Sequence, residues 1–281
     1  MNGVLQGISE DVRFNHAAAA SLATGCRNAA TAIDGQTGPR ATWVSHGLED
    51  FVGYYADLFR QNGTTQAGDA SRLAAALRDV ATKVDYLAGS ATAEQNRRET
   101  ARAWKRRQDE RGFWDHVSDW FTGGEAPPVG GPDPATPQAV PAPAPPQREP
   151  LTGSGSTGTS SARPANLRSF ASNSSGANQE LAHWPGSLRG HYDTFVAGCG
   201  WGSLDASGVL TAFTQNLTAN GQDVQWANTV AGAFEAAGSS GVVTMNNASI
   251  TASLQASGVN PERADLVIAP PEAYGSPPTT G

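Results

Sequence analysis

WVSHGLEDFVGYYADLFRQNG, residues 43–63, and WGSLDASGVLTAFTQNLTANG, residues 201–221, carry one spaced pattern twice. Each copy opens on a tryptophan, Trp43 or Trp201, with a serine two residues on, Ser45 or Ser203. Bulky apolar residues follow at matching offsets: Phe51, Val52, Tyr55 and Phe59, then Val209, Leu210, Phe213 and Leu217. Both copies close on Asn-Gly, at Asn62-Gly63 and at Asn220-Gly221. Offsets of eight, nine, twelve and sixteen put those side chains on one helical face. Asn-Gly reads as a helix stop. The chain is therefore an internal duplication. Each unit is expected as a Trp-bearing turn followed by an amphipathic helix.

Outward from the first copy, Val4, Ile8, Val12, Leu22, Cys26 and Ile33 recur among alanines mostly at helical spacing. Gly35, Gly38 and Pro39 are expected to end that helix before the Trp43 turn. The repeat helix then runs from about Gly47 to Gln61. After Asn62-Gly63 and Gly68, with Asp69 or Ser71 as cap, Leu73, Leu77, Val80, Val84 and Leu87 predict a long third helix to about Asp109. Its end, 97–111, is basic: Arg97, Arg98, Arg102, Lys105, Arg106, Arg107 and Arg111 stand against Glu99, Asp109 and Glu110. Such a mixture is the solvated face of a long helix before it is a nucleic-acid patch. An amphipathic segment, Phe113 to Phe121, closes a first module over residues 1–122.

Residues 123–164 hold 11 of the chain's 18 prolines and no aromatic residue, with a Gly/Ser/Thr run from Thr152 to Ser161. That composition buries too little apolar surface to offset ordering entropy, so it is expected as a disordered linker. A second module is expected over 165–260. In it, Leu167, Phe170, Leu181, Leu188, Tyr192 and Phe195 predict a helix or helix pair interrupted at Trp184-Pro185-Gly186. Asp205 or Ser207 is expected to cap the second repeat helix, and Asp223 a following helix with Val224, Trp226, Val230 and Phe234. An extended piece at Val242–Thr244 and a small helix from Ile250 to Leu254 complete it. Residues 261–281, polar and Pro-rich, are expected as a disordered tail. The fold class is thus all-α, two helical modules on a linker.

The chain of 281 residues has net charge -7, 16% charged and 38% hydrophobic residues. An acidic balance argues against nucleic acid as the partner of the whole chain. No run approaches the roughly 20 apolar residues of a membrane span. The first residues lack a basic n-region and an apolar h-region, so no cleavable secretory signal is expected. Cys26 and Cys199 show neither CxxC spacing nor a metal cluster. Two readings stand for them: small buried hydrophobes, or one disulfide joining the halves.

The second copy and its surroundings resemble the Trp-X-Gly (WXG) helical modules of type VII (ESX) secretion substrates, especially the delivery regions of actinobacterial secreted toxins. The residues are the Cys-Gly-Trp-Gly-Ser-Leu-Asp turn, Cys199 to Asp205, then Asn220, then Trp226 with Val230-Ala231-Gly232-Ala233-Phe234. The resemblance spans about residues 4–121 and 166–258 and is carried mainly by the second half. The turns read Trp-Val-Ser and Trp-Gly-Ser, and the literal match, Trp184-Pro185-Gly186, lies outside the repeat. The family's Tyr-x-x-x-Asp/Glu export signal is absent from these residues: four positions after Tyr54, Tyr55, Tyr86, Tyr192 and Tyr274 stand Leu58, Phe59, Ser90, Val196 and Pro278. A partner is then expected to supply it.

What the resemblance implies is a non-enzymatic secretion substrate or toxin delivery adaptor, secreted by a signal-peptide-independent route and acting through helix–helix contacts. Its partners would be a WXG-like helical protein, the secretion machinery, or a toxin encoded nearby. The motif residues would be Trp43, Ser45, Trp201, Gly202, Ser203, Trp226 and Phe234. No catalytic residue, metal ligand or cofactor is expected. The five histidines show no metal spacing, and no phosphate loop, Rossmann fingerprint or nucleophile elbow is present. The alternative expectation is a cytoplasmic protein that meets DNA or an anionic membrane through the basic helix 97–111.

Overall fold

A computed structural model describes residues 8–110, 144–145, 147–148, 151, 153, 155–238 and 240–274. The Phe113–Phe121 segment, most of the expected linker, Val4, Arg111 and residues 275–281 lie outside them. The chain is mainly α-helical. In order it forms α1 (His16–Gly47), α2 (Tyr54–Asp109), β1 (Thr159–Ala162), α3 (Pro164–Leu181), α4 (Trp184–Gly198), β2 (Ser203–Asp205), α5 (Ser207–Ala237), β3 (Val243–Asn246), α6 (Asn247–Ala256) and β4 (Glu272–Tyr274). The strands make two small antiparallel pairs, β1 with β3 and β2 with β4.

α1 and α2 form a long antiparallel hairpin. α1 starts later than the periodicity suggests, where the Asn15 side chain caps it by accepting from the Ala18 N–H. It buries Ala18, Leu22, Cys26, Ala29 and Ile33, a stripe at three- and four-residue steps. Its alanines let α2 approach with Leu73, Leu77, Val80, Val84 and Leu87, all fully buried. Across the hairpin Arg27 pairs with Asp85 and Arg78 with Asp34. These pairs are half-exposed, so they set register more than stability.

Three of the expected helix breaks do not occur. α1 continues through Gly35, Gly38 and Pro39. Glycine before the proline removes the Cβ that would clash with the ring, and all three residues are on the exposed side. α2 runs through Asn62-Gly63 and Gly68, and α5 through Asn220-Gly221. At Gly63 the missing side chain is a packing requirement, since a Cβ there would sit 3.0 Å from both Val44 methyls. The break at Trp184-Pro185-Gly186 does occur, with Pro185 in the first turn of α4.

The two halves are packed on each other, and each apolar core is built from both. Phe51, Tyr55 and Phe59 of the first repeat pack with Trp226, Val230 and Phe234, which follow the second. Val209, Leu210, Phe213 and Leu217 of the second repeat pack with Leu73 to Leu87, which follow the first. α2 and α5 therefore run antiparallel, with the repeats related as in a pseudo-two-fold exchange. Aromatic geometry marks one core: the Trp226 ring stacks on Phe59 at 5.6 Å and 14°, and Phe234 meets Phe51 edge-on at 6.1 Å. Each such pair adds about 1 kcal/mol to its burial.

Two segments expected to be disordered are partly built into this body. The end of the expected linker forms β1. Gly53, at φ 95°, lets the α1–α2 turn come against it, because a Cβ there would lie 2.6 Å from the Thr159 carbonyl oxygen. Ser160 Oγ then donates to Asn247 Oδ1 at 2.8 Å, tying β1 to α6. The expected tail buries Arg263 and Leu266, gives the Pro271 carbonyl to Lys83 at 2.7 Å, and pairs as β4 with β2.

Candidate functional site

Between the two cores lies a polar layer. Arg263, with its guanidinium 1% exposed, is its centre. Its Nε donates to Asp69 at 3.1 Å, Nη1 to Asn220 at 3.1 Å and to Asp223, and Nη2 to Asn216 at 3.1 Å. Asn62 accepts from the Arg263 backbone N–H at 2.9 Å and donates to the Pro261 carbonyl at 2.9 Å. Arg72 makes a second ion pair to Asp69 at 2.6 Å. The repeated asparagines, Asn62 and Asn220, thus meet at one arginine instead of ending helices. Asp223 likewise serves the layer and not a helix start. Burial raises its carboxyl to about 6, against the opposing pull of Arg263 and Arg40.

Beside this layer, toward the turn of the hairpin, a cavity of about 300 Å³ opens between α1 and α2. Ile33, Ala41, Val44, Ala67, Ala70 and Leu181 give it apolar walls, and Asn216 and Asn220 of α5 also line it. Its polar feature is Arg40, 7% exposed. Arg40 donates to Gln36 Oε1 through Nε at 3.1 Å and Nη2 at 2.9 Å, and to Asn178 Oδ1 through Nη2 at 2.7 Å. Its Nη1 has no hydrogen-bond partner. Desolvation draws this guanidinium down to about 10, well below its ordinary value. Arg60, held by Asp57 at 2.6 Å, stands at the exposed rim.

The sequence-derived motif residues separate into two sets. Trp226 (2% exposed) and Phe234 (0%) are core residues and offer nothing to a partner in this fold. Trp43 and Trp201 are half-buried, and Ser45 and Ser203 exposed. Trp43 lies in the last turns of α1, not in a turn, and packs at the edge of a core. Trp201 does sit in a turn. Gly200 comes against Arg13, whose carbonyl accepts from Gly200 N–H at 2.8 Å and Trp201 N–H at 3.1 Å. Gly202 takes φ 77°, a glycine conformation. The indole donates to Ser90 Oγ at 3.4 Å, and the Arg98 guanidinium lies 5.8 Å from the ring centroid.

The two tryptophans do not converge. Val44, next to Trp43, packs at Gly63, whereas Trp201 packs at Ser90, 27 residues along α2 or about 40 Å. Half of the described basic stretch is taken up by acids: Arg97 and Arg98 both pair with Glu94 at 2.7 Å, and Arg102 with Asp11 at 2.5 Å. The disulfide reading is corrected. Both cysteines are free. Cys199 Sγ reaches the Asn15 carbonyl, while Cys26 is buried eleven residues further along α1, about 16 Å away.

Arg40 and Arg263 are the functional candidates that sequence reading missed. Neither belongs to a motif. The signal that pointed toward Arg263 was the Asn at the same offset in both copies, which marks a position used twice. No protein-family model matches the chain, and no curated protein or solved structure matches it. Among the described residues no helix is long and apolar enough to cross a membrane.

Proposed function

We propose that this chain is a non-enzymatic helical substrate or delivery adaptor of a type VII-like export route, engaged by its partner at the tryptophan-bearing ends. One observation carries the reading. Apart from Val52, which is 60% exposed, the duplicated apolar positions are buried or partly buried in cis, while Trp43 and Trp201 stand half-buried far apart at the surface. A hairpin whose seam is already filled has no seam to share with a second hairpin. Its recognisable surface is then the amphipathic indoles, rings suited to an interface that is half wet. The Cys199–Asp205 turn supports the export setting through its resemblance to WXG-like delivery modules. The missing Tyr-x-x-x-Asp/Glu signal assigns the export signal to the partner.

The test is export of the tagged full chain from an actinobacterial host with and without its type VII ATPase, alongside Trp43→Ala and Trp201→Ala variants. Loss of extracellular protein in the ATPase-deficient host is expected. The tryptophan variants should export poorly while accumulating folded inside the cell. An extracellular level unchanged by the ATPase deletion overturns the proposal.

A further inference from the structure

Exposed Thr37, Arg60, Thr64 and Ala67 stand at the mouth of the cavity between α1 and α2, and buried Asn216 and Asn220 of α5 line its inner side. We propose that this cavity binds an uncharged molecule with an aliphatic body and one carbonyl oxygen, the oxygen accepting from the side-chain amides of Asn216 and Asn220. Three features lead there.

The first is the orientation of the two amides. Asn216 and Asn220 lie one turn apart on α5 and so share a face, and they are 2% and 3% exposed. One guanidinium fixes both: Arg263 Nη2 donates to Asn216 Oδ1 and Nη1 to Asn220 Oδ1, each at 3.1 Å. Gln66 Nε2 adds a second donor to Asn220 Oδ1 at 3.2 Å. Donors on one branch of a planar amide identify that branch as the oxygen and the other as the NH₂ group. Neither Nδ2 has a hydrogen-bond partner among the described residues, and neither is sealed from solvent. Both residues line the cavity, so these N–H groups open into it.

The second is that the donors on offer are neutral. Arg40 also lines the cavity, but its Nε and Nη2 are bonded to Gln36 and Asn178, and its Nη1 is sealed off. Arg263 is occupied by Asp69, Asp223 and the two asparagines. Arg60 at the mouth is held by Asp57. An anionic head would give up its hydration for two neutral amides, a loss that a carbonyl oxygen largely avoids.

The third is the rest of the wall. About 300 Å³ falls at the small end of ligand cavities, which form readily between packed helices. Ile33, Ala41, Val44, Ala67, Ala70 and Leu181 make the wall aliphatic. Water satisfies the amides but must also wet that wall. A molecule that reproduces the amide bonds and covers the wall with an apolar body answers both.

The experiment titrates nonan-2-one into the isotopically labelled full chain and follows the side-chain amide resonances of Asn216 and Asn220. Its hydrocarbon isostere, 2-methylnon-1-ene, is the probe without an acceptor. Nonan-2-one should bind one site, shift both amide signals, and bind about tenfold more tightly than the hydrocarbon. Asn216→Asp and Asn220→Asp each keep an Oδ1 for Arg263 while exchanging the Nδ2 for an oxygen. Each should lower the preference for the ketone over the hydrocarbon about threefold, a ratio that a general loss of apolar binding would not move. Ala67→Phe starts from an exposed residue at the mouth and leaves both amides in place. It should abolish binding without lowering the melting temperature. The proposal is overturned if nonan-2-one does not bind, if the hydrocarbon binds equally well, if both Asp variants keep the preference, or if Ala67→Phe binds as the wild type does.

Discussion

Replacing Arg263 by methionine tests whether the polar layer holds the two halves together. The substitution keeps most of the side-chain volume but removes donors to Asp69, Asp223, Asn216 and Asn220 at once. Asp69 keeps Arg72 at 2.6 Å and the Leu266 N–H at 3.2 Å. Among the described residues Asp223 keeps the Gln66 amide at 3.4 Å and the longer-range pull of Arg40. One largely buried carboxylate thus loses its ion-pair partner, a loss of about 3–5 kcal/mol. Against a typical domain stability of about 5–15 kcal/mol, that is enough to bring the chain near its unfolding threshold. Urea denaturation with linear extrapolation measures it. The deficit should be largest at about pH 7.5 and smaller at about pH 5, where the stranded Asp223 carboxyl, raised to about 6 by burial, takes up a proton. Adding Asp223→Asn to Arg263→Met should recover part of it at neutral pH. A deficit below about 1 kcal/mol, or one equal at both pH values, would refute the layer as a structural clamp.

The same packing sets three further outcomes. The raised Asp223 carboxyl means that the folded state keeps this proton to higher pH than the unfolded chain. Its stabilising contribution is then complete below about pH 4 and lost as pH rises through about 6. Asp223→Asn should flatten that decline in melting temperature, and a variant that retains the wild-type slope would show the assignment to be wrong. Gly63→Ala should gain less than the about 1 kcal/mol that Ala has over Gly inside a helix, because its Cβ would meet the Val44 methyls, and adding Val44→Ala should relieve that contact; a Gly63→Ala variant that shows the full gain in chemical denaturation contradicts the close approach. The Cys26 thiol, pushed up to about 12 by burial, should resist maleimide until the chain unfolds, while the half-buried Cys199 labels first. An intrachain crosslink on non-reducing gels would contradict the separation of the two sulfurs.

Helical faces were legible because their signal is local. Leu73 to Leu87 and Val209 to Leu217 have the spacing of a buried stripe, and they are buried, Leu217 in part. Which face meets which was not legible, because periodicity names a face and not its partner. Hence Trp226 and Phe234, expected as motif residues, are instead core partners of Phe59 and Phe51. The stop signals failed for one physical reason. Asn ends a helix when its side chain bonds nearby backbone, but Asn62 has a better partner in Arg263, 201 residues away. Pro39 was tolerated because Gly38 precedes it.

The duplication itself accounts for that long-range partner. Trp, Ser, Asn and Gly are the identities the two copies share, and of these only Asn is both polar and buried in each copy. When two copies of one unit pack antiparallel, equivalent positions either meet near the centre or lie far apart. The tryptophans lie about 40 Å apart along α2. The asparagines stand near the centre, where Arg263 joins them from outside both repeats, donating to Asn220 through its side chain and to Asn62 through its backbone N–H. The segment after Pro261 is therefore the part of the chain that completes the duplicated body, and its attachment does not depend on its own weak helical or strand signal.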